Sequence, residues 1–128
     1  MAKIAVGGSR SFDSYELVKD VLDMLLVSGD TLYSGNAPGA DRLGERYAEE
    51  NEIDWKIIPS EWDKHGLKAT MMRNEVLLKA SDCVIIFWDR KSEGSKHMID
   101  IAMRAKKLLA VVYPDGTLKL HMNPRKLP

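Results

Sequence analysis

Four short segments carry the residue types that hold ligands: GGSRSF at 7–12, SGNAPGAD at 34–41, PSEWDKHG at 59–66 and WDRKSEGS at 88–95. Each follows a short apolar run, and three of them set glycine and serine just ahead of a helical pattern. Glycine lets a backbone approach a ligand closely and adopt positive φ. A helix start offers unpaired N–H groups and a partial positive charge, which suits phosphate, and serine hydroxyls add donors. Gly8, Ser9, Ser34, Gly35, Gly39, Ala40, Ser92, Gly94 and Ser95 are therefore candidate ligand contacts. Tight strand-to-helix turns need glycine anyway, so a single loop decides little; three together favour a ligand. SGNAPGAD is expected to set N–H groups of a helix start against an anion, so that Gly39→Val removes affinity and leaves the melting temperature nearly unchanged. Neither G-x-G-x-x-G nor G-x-x-x-x-G-K-[ST] occurs, which disfavours an ordinary NAD or ATP site.

Charged and aromatic neighbours add chemistry, each with a plainer alternative. Arg10 could reach a phosphate or sit on the surface. Asp41 could take a ribose hydroxyl, although capping its helix has the larger share. Arg73 and Asn74 lie among the apolar Met72, Val76 and Leu77, where an arginine usually has an internal carboxylate or a ligand anion as partner. Trp62 and Trp88 are more often core than stacking platforms. Asp89 ends an apolar run, where it would face a ligand or cap the next turn.

These loops need a scaffold, and the pattern supplies one. Apolar runs at Lys3 to Val6, Thr31 to Tyr33, Trp55 to Ile58, CVIIFWD and LLAVVY read as five strands. Helical spacing follows in Leu17, Val18, Val21, Leu22, Leu25 and Leu26, with Asp13 as cap and Glu16 completing a capping box. Ala40, Leu43, Tyr47 and Ala48 form one face of a second helix; Ala69, Met72, Val76, Leu77 and Ala80 form the inner face of a third; SEGSKHMIDIAMRAKK holds a fourth. After the turn PDGT, Leu118, Leu120 and Met122 alternate with Lys119 and His121, which predicts a final antiparallel edge strand. The alternation predicts an α/β Rossmann-like three-layer sandwich over residues 1–128 as one domain, with a mostly parallel five-stranded sheet and that extra edge strand. Ligands in such sheets sit outside the carboxyl ends of the strands, where the strand order reverses.

Composition narrows the function classes. The chain has 128 residues, 45% hydrophobic and 30% charged, as a folded globular protein should. Lys plus Arg and Asp plus Glu are both 19, a zero net charge that argues mildly against a dedicated nucleic-acid binder. Cys83, a lone cysteine in an apolar run, reads as a small buried hydrophobe. His65, His97 and His121 have no metal-site spacing, so no metal and no cofactor are expected. MAKIAVGG is too soon broken for a signal peptide and no stretch has membrane-spanning length, so the expected setting is cytoplasmic, without a membrane partner.

GGSRSF, SGNAPGADRLGERYAEE, MMRNEVLLKASDCVIIFWD and SEGSKHMIDIA, in this order and spacing, resemble the SLOG superfamily and most closely its small YspA-like branch, over residues 3 to about 112. The resemblance implies a Rossmann-like fold, frequent self-association, and a nucleotide-derived ligand or nucleic acid at the glycine-rich edge. It maps Gly8, Ser9, Arg10, Gly35, Gly39, Asp41, Arg73, Asn74, Gly94 and Ser95 onto the pocket. Lonely-guy phosphoribohydrolases, more distant relatives, show an arginine that corresponds to Arg73 and a P-G-G-x-G-T-x-x-E pattern that falls on RKSEGSKHM. Its acidic position is Met98, and methionine cannot stabilise an oxocarbenium ion or activate water as a carboxylate does. DNA-processing protein A shares G-S-R, S-G-x-A-x-G and R-N.

Three functions follow in order of expectation. The first is a module that senses or sequesters an ADP-ribose or cyclic-nucleotide type of molecule. The second is a nucleotide N-glycosidic hydrolase with Asp89, Glu93 or Asp41 as its carboxylate. The third is single-stranded DNA binding, with Arg10, Arg42, Arg73, Arg90, Lys91 and Lys96 along one edge. A homo-oligomer is expected.

Overall fold

A computed structural model describes residues 2–58 and 66–121. Ten elements follow in order: β1 Lys3–Gly8, α1 Tyr15–Leu25, β2 Thr31–Ser34, α2 Ala40–Glu50, β3 Trp55–Ile57, α3 Leu67–Ala80, β4 Cys83–Phe87, α4 Glu93–Arg104, β5 Leu108–Val112 and β6 Leu118–Leu120. The six strands form one sheet in the order β3-β2-β1-β4-β5-β6. All pairings are parallel except β5 with β6, which is antiparallel. This is the expected Rossmann-like α/β sandwich, closed by the expected C-terminal edge strand.

The period-two alternation of the strands divides the core. Ile4 and Val6 of β1 and Cys83, Ile85 and Phe87 of β4 pack with Val18 and Leu22 of α1 and Tyr47 and Ala48 of α2. Ala5, Val84 and Ile86 point to the other face and pack with Leu77 of α3 and Met98, Ile99 and Ala102 of α4. Every residue of β4 and of β5 is buried, which is why both read as unbroken apolar runs rather than alternating ones. Cys83 is fully buried and forms no disulfide. Among the described residues no helix is long and apolar enough to cross a membrane.

Two local expectations are corrected. Ser14, not Asp13, caps α1: its Oγ accepts the N–H of Leu17 at 3.3 Å, and the capping box with Glu16 does not form. On α3 the inner face is Ala69, Asn74 and Leu77, whereas Met72 and Val76 are 56% and 52% exposed. Apolar residues are spread almost evenly around this helix, so spacing does not fix which side faces inward. Asn74 takes an inward place because its amide has a partner there. Trp62, His65 and Met122 lie outside the described residues, as does the segment PSEWDKHG apart from Gly66.

Strand order reverses between β1, whose chain continues to β2 on one side, and β4, which continues to β5 on the other. The carboxyl ends of β1 and β4 therefore part where their loops leave for opposite faces of the sheet.

Candidate functional site

A cavity of about 280 Å³ opens at this divide. Of the candidate residues, Gly8, Arg10, Gly35, Asp41, Arg73, Asn74, Ser92, Glu93, Gly94 and Ser95 line it. Ser9, Ser34, Gly39, Ala40 and Asp89 do not. Gly7, Ala37 and Thr70, together with the apolar Ala5, Val6, Leu67, Leu77 and Ile86, complete the lining without having been candidate contacts in the sequence, and so does Met98, which the sequence set at the acidic position of the hydrolase pattern.

The five that stand back from the cavity build its frame. Ser9 is buried; its N–H donates to the Phe87 carbonyl at 2.9 Å and its Oγ accepts the N–H of Asp89 at 3.0 Å, so the loops after β1 and β4 are stitched together. Asp89 caps the turn into α4, its Oδ1 accepting the N–H groups of Lys91 and Ser92, both at 2.8 Å, and its Oδ2 the Ser11 hydroxyl at 2.7 Å. Burial opposes its ionisation, but the hydrogen bonds from Lys91, Ser11, Ser92 and Ser9 outweigh burial and hold the carboxyl at about 2. Both carboxylate oxygens of Asp89 thus hold the turn into α4.

SGNAPGAD works differently from the sequence expectation. Gly39 is the residue before α2, at φ 85° and ψ −131°, a conformation open mainly to glycine. A β-carbon there would overlap the carbonyl oxygens of Ser9 and Arg10. Gly39→Val would therefore strain the fold itself, so the expectation of an unchanged melting temperature is withdrawn. Three N–H groups of the segment are bonded within the chain: Asn36 on Ser34 Oγ at 3.1 Å, Ala37 on Asp41 Oδ2 at 3.2 Å and Ala40 on the Ser9 carbonyl at 3.2 Å.

Asp41 does not cap α2 either. It stands in the first turn, 4% exposed, with Oδ1 accepting the Gly8 N–H at 3.1 Å and Oδ2 that of Ala37. It thus pins the end of β1 to the turn after β2. Burial pushes its carboxyl up to about 6, against the pull of Arg73 and of the two N–H groups. One turn along α2, Glu45 accepts the Ser34 hydroxyl and is likewise raised by burial. The spacing of Asp41 and Glu45 by four residues was the available sign that both face one side.

Arg73 has the internal carboxylate that sequence left as one of two partners. Its Nη1 lies 3.8 Å from Asp41 Oδ2, and its side chain is 10% exposed. That distance makes an ion pair but no hydrogen bond, and Nη1 is a buried donor with no hydrogen-bond partner among the described residues. Burial lowers the basicity of Arg73, Asp41 supporting it and Arg10 opposing. Nε leans on Asn74 Oδ1 at 3.4 Å; Asn74 Nδ2 donates to the Gly94 carbonyl at 2.9 Å and lies 3.2 Å from His97 Nδ1. Asn74 thereby ties α3 to the start of α4, which is capped by Ser92 Oγ accepting the Ser95 N–H at 3.4 Å.

The cavity combines a buried cation with a donor to spare, the hydroxyls of Thr70, Ser92 and Ser95, and an apolar wall that includes Met98, 3% exposed. This suits an anion attached to a less polar body. Of the aromatic candidates, Trp88 does not line it; its indole N–H donates to the Ser92 carbonyl at 3.1 Å.

Comparison with known proteins agrees with this architecture. The model of the YspA, cpYpsA-related SLOG family matches residues 2–65, half of the chain. The Gene 61 protein of Mycobacterium phage D29 is 30% identical over 114 residues, which cover 82% of this chain and 91% of that protein. No solved structure matches significantly.

Proposed function

Because the chain belongs to the YspA, cpYpsA-related SLOG family, a membership that suggests a nucleotide-related ligand, we propose that it binds a nucleotide-derived small molecule in the cavity between β1 and β4. The molecule would be of ADP-ribose or cyclic-nucleotide type, and the protein would sense or sequester it. The observation that carries this reading is the buried Nη1 of Arg73, without a hydrogen-bond acceptor beside a cavity that Arg73 lines. Buried donors are seldom left unpaired, and an unpaired one costs about 1–3 kcal/mol, so a ligand oxygen that drew the guanidinium out would recover that cost. The volume lies near the lower end of small-molecule sites, roughly 300–1,000 Å³. It accommodates a phosphate and part of a sugar, with the rest of the ligand reaching past Arg10.

The test is a thermal-shift screen with AMP, ADP-ribose, NAD, cyclic ADP-ribose isomers, cyclic dinucleotides and a short single-stranded DNA, since binding to the folded state raises the melting temperature. A shift with one nucleotide family and recovery of the ligand intact supports binding. No shift with any of them removes the reading.

Hydrolysis of an N-glycosidic bond is the second reading, favoured by Glu93, which lines the cavity. Its weakness is Met98, which stands in the wall where the related hydrolases carry an acid. Single-stranded DNA has less support: among the cations considered for it, Arg73 is buried and the guanidinium of Arg90 lies 3.7 Å over the Tyr113 ring. Self-association through the exposed Met72 and Val76 of α3 belongs to the same proposal and is read by sedimentation.

A further inference from the structure

We infer that this cavity is a proton-linked anion site: an anion that engages Arg73 is bound together with one proton, held by Asp41. The inference rests on the reading of the cavity as a ligand site and adds how the site is regulated.

Asp41 and Arg73 line the same cavity, 3.8 Å apart. A phosphate that reaches the guanidinium therefore brings negative charge within a few ångströms of the Asp41 carboxylate. The carboxylate cannot turn away. Its two oxygens are held by the N–H groups of Gly8 and Ala37, and it is packed so closely against Gly7 and Gly35 that a β-carbon on Gly7 would come 2.6 Å from Oδ1, and one on Gly35 2.7 Å from Oδ2. Like charges confined in one buried site do not both stay ionised; one group takes a proton.

The surrounding charges allow the same outcome. From α3, Arg73 favours the carboxylate; from α2, Glu45 disfavours it. From the segment after β1, Arg10 acts on Arg73, and β1 itself presents only the backbone of Gly7 and Gly8. Glu93 adds a further carboxylate to the lining. Once a ligand shares Arg73, the largest support for the Asp41 charge is divided. Burial has already brought the carboxyl to about 6 in the free protein, so little more is needed for a proton to stay at neutral pH. The sign follows: affinity rises as pH falls from about 8 towards 6, by up to about tenfold per pH unit. It levels off below about 6, where Asp41 is already protonated before the ligand arrives.

The experiment is calorimetric titration of the full chain with ADP-ribose, and separately with AMP, at about pH 7.5 in two buffers of different ionisation enthalpy. The pyrophosphate of ADP-ribose has no ionisation near neutral pH, so a proton taken up must land on the protein. The expected result is uptake approaching one proton with ADP-ribose, lost in Asp41→Asn. Binding of either probe with no uptake by the protein overturns the inference and leaves the ligand site standing, as does uptake undiminished in Asp41→Asn. Binding of neither probe overturns the inference, and the thermal-shift panel then decides separately whether the ligand site stands. Asp41→Asn could misfold, because its amide would meet the Ala37 N–H. Carboxyl NMR of the wild-type protein then decides: saturation with the bound probe must move the Asp41 titration from about 6 to well above the working pH of about 7.5, and an unmoved titration overturns the inference.

Discussion

Gly35 lies so close against Arg73 that a β-carbon on the glycine would overlap the guanidinium nitrogen Nη1. The turn after β2 and the inward edge of α3 thus share a space that only a glycine leaves open. Gly35→Ala should push the guanidinium from its place beside Asp41 and weaken binding of ADP-ribose at least about tenfold, equivalent to about 1.4 kcal/mol. Gly39→Val, by contrast, should act on the fold. Its φ of 85° costs a β-branched residue about 1–3 kcal/mol before any collision. A melting temperature several degrees lower than that of Gly35→Ala is expected, and equal melting curves for the two variants would refute the distinction.

Arg73→Met removes a buried cation along with its orphaned donor. Binding of any anionic nucleotide should be lost, and Asp41, deprived of its counter-charge, should titrate above its present value of about 6. Carboxyl NMR reads the second effect independently of any ligand. An unchanged Asp41 titration would mean that the 3.8 Å pair carries no electrostatic weight.

The pH dependence of stability separates two aspartates. The Asp41 carboxyl is raised in the folded state, so its burial penalty is present in full above about 6 and is relieved as pH falls towards the unfolded value near 3.8. Wild-type protein should therefore gain melting temperature relative to Asp41→Asn between pH 7 and pH 5. Asp89 runs the other way. Its carboxyl is depressed, so its contribution is present above about 4 and is lost as pH falls through about 2. The difference in melting temperature between wild type and Asp89→Asn should shrink on that acidification.

Asp89→Ala frees the N–H groups of Lys91 and Ser92 and the Ser11 hydroxyl at once. A loss of about 1–3 kcal/mol is expected from hydrogen bonds to a charged acceptor. Because Ser92 begins the wall formed by α4, ligand affinity should fall as well, although Asp89 never touches the cavity. Chemical denaturation and the thermal-shift assay together check both parts.

Incubation with AMP should release no adenine, by chromatography over a day, because Met98 stands at the position where the related hydrolases carry their acid. Release that disappears in Glu93→Gln would instead promote the hydrolytic reading.

The scaffold was legible because β4 and β5 are buried on both faces and announce themselves as continuous apolar runs. The site was legible in type but not in assignment. Gly8, Gly35, Asp41, Arg73 and Gly94 stand out by residue type, and all line the cavity. Ser9, Ser34 and Gly39 have the same composition, yet they hold the loops together. Sequence cannot separate the two roles, because a loop that must bend closely needs glycine and serine whether a ligand or another loop lies against it. Most of the apolar half of the wall was invisible for a related reason: Val6, Leu77 and Ile86 resemble any other core residues until the sheet parts above them. On α3 the inward Ala69 and Leu77 were read from the spacing, but Asn74 was missed, because it is buried through a hydrogen bond to the backbone of another helix, which no periodicity encodes.

The sheet ends in two strands of three residues, Trp55–Ile57 on one side and Leu118–Leu120 on the other, each with a lysine at its centre. Strands so short and so marked offer an approaching chain few unpaired backbone groups in a row and a charge to bury with them. Behind β6 lies β5, five consecutive buried apolar residues that would template strand addition if uncovered. The small antiparallel strand therefore guards colloidal behaviour more than folding energy: a chain trimmed before Leu118 would keep its cavity and begin to associate through its newly bared edge.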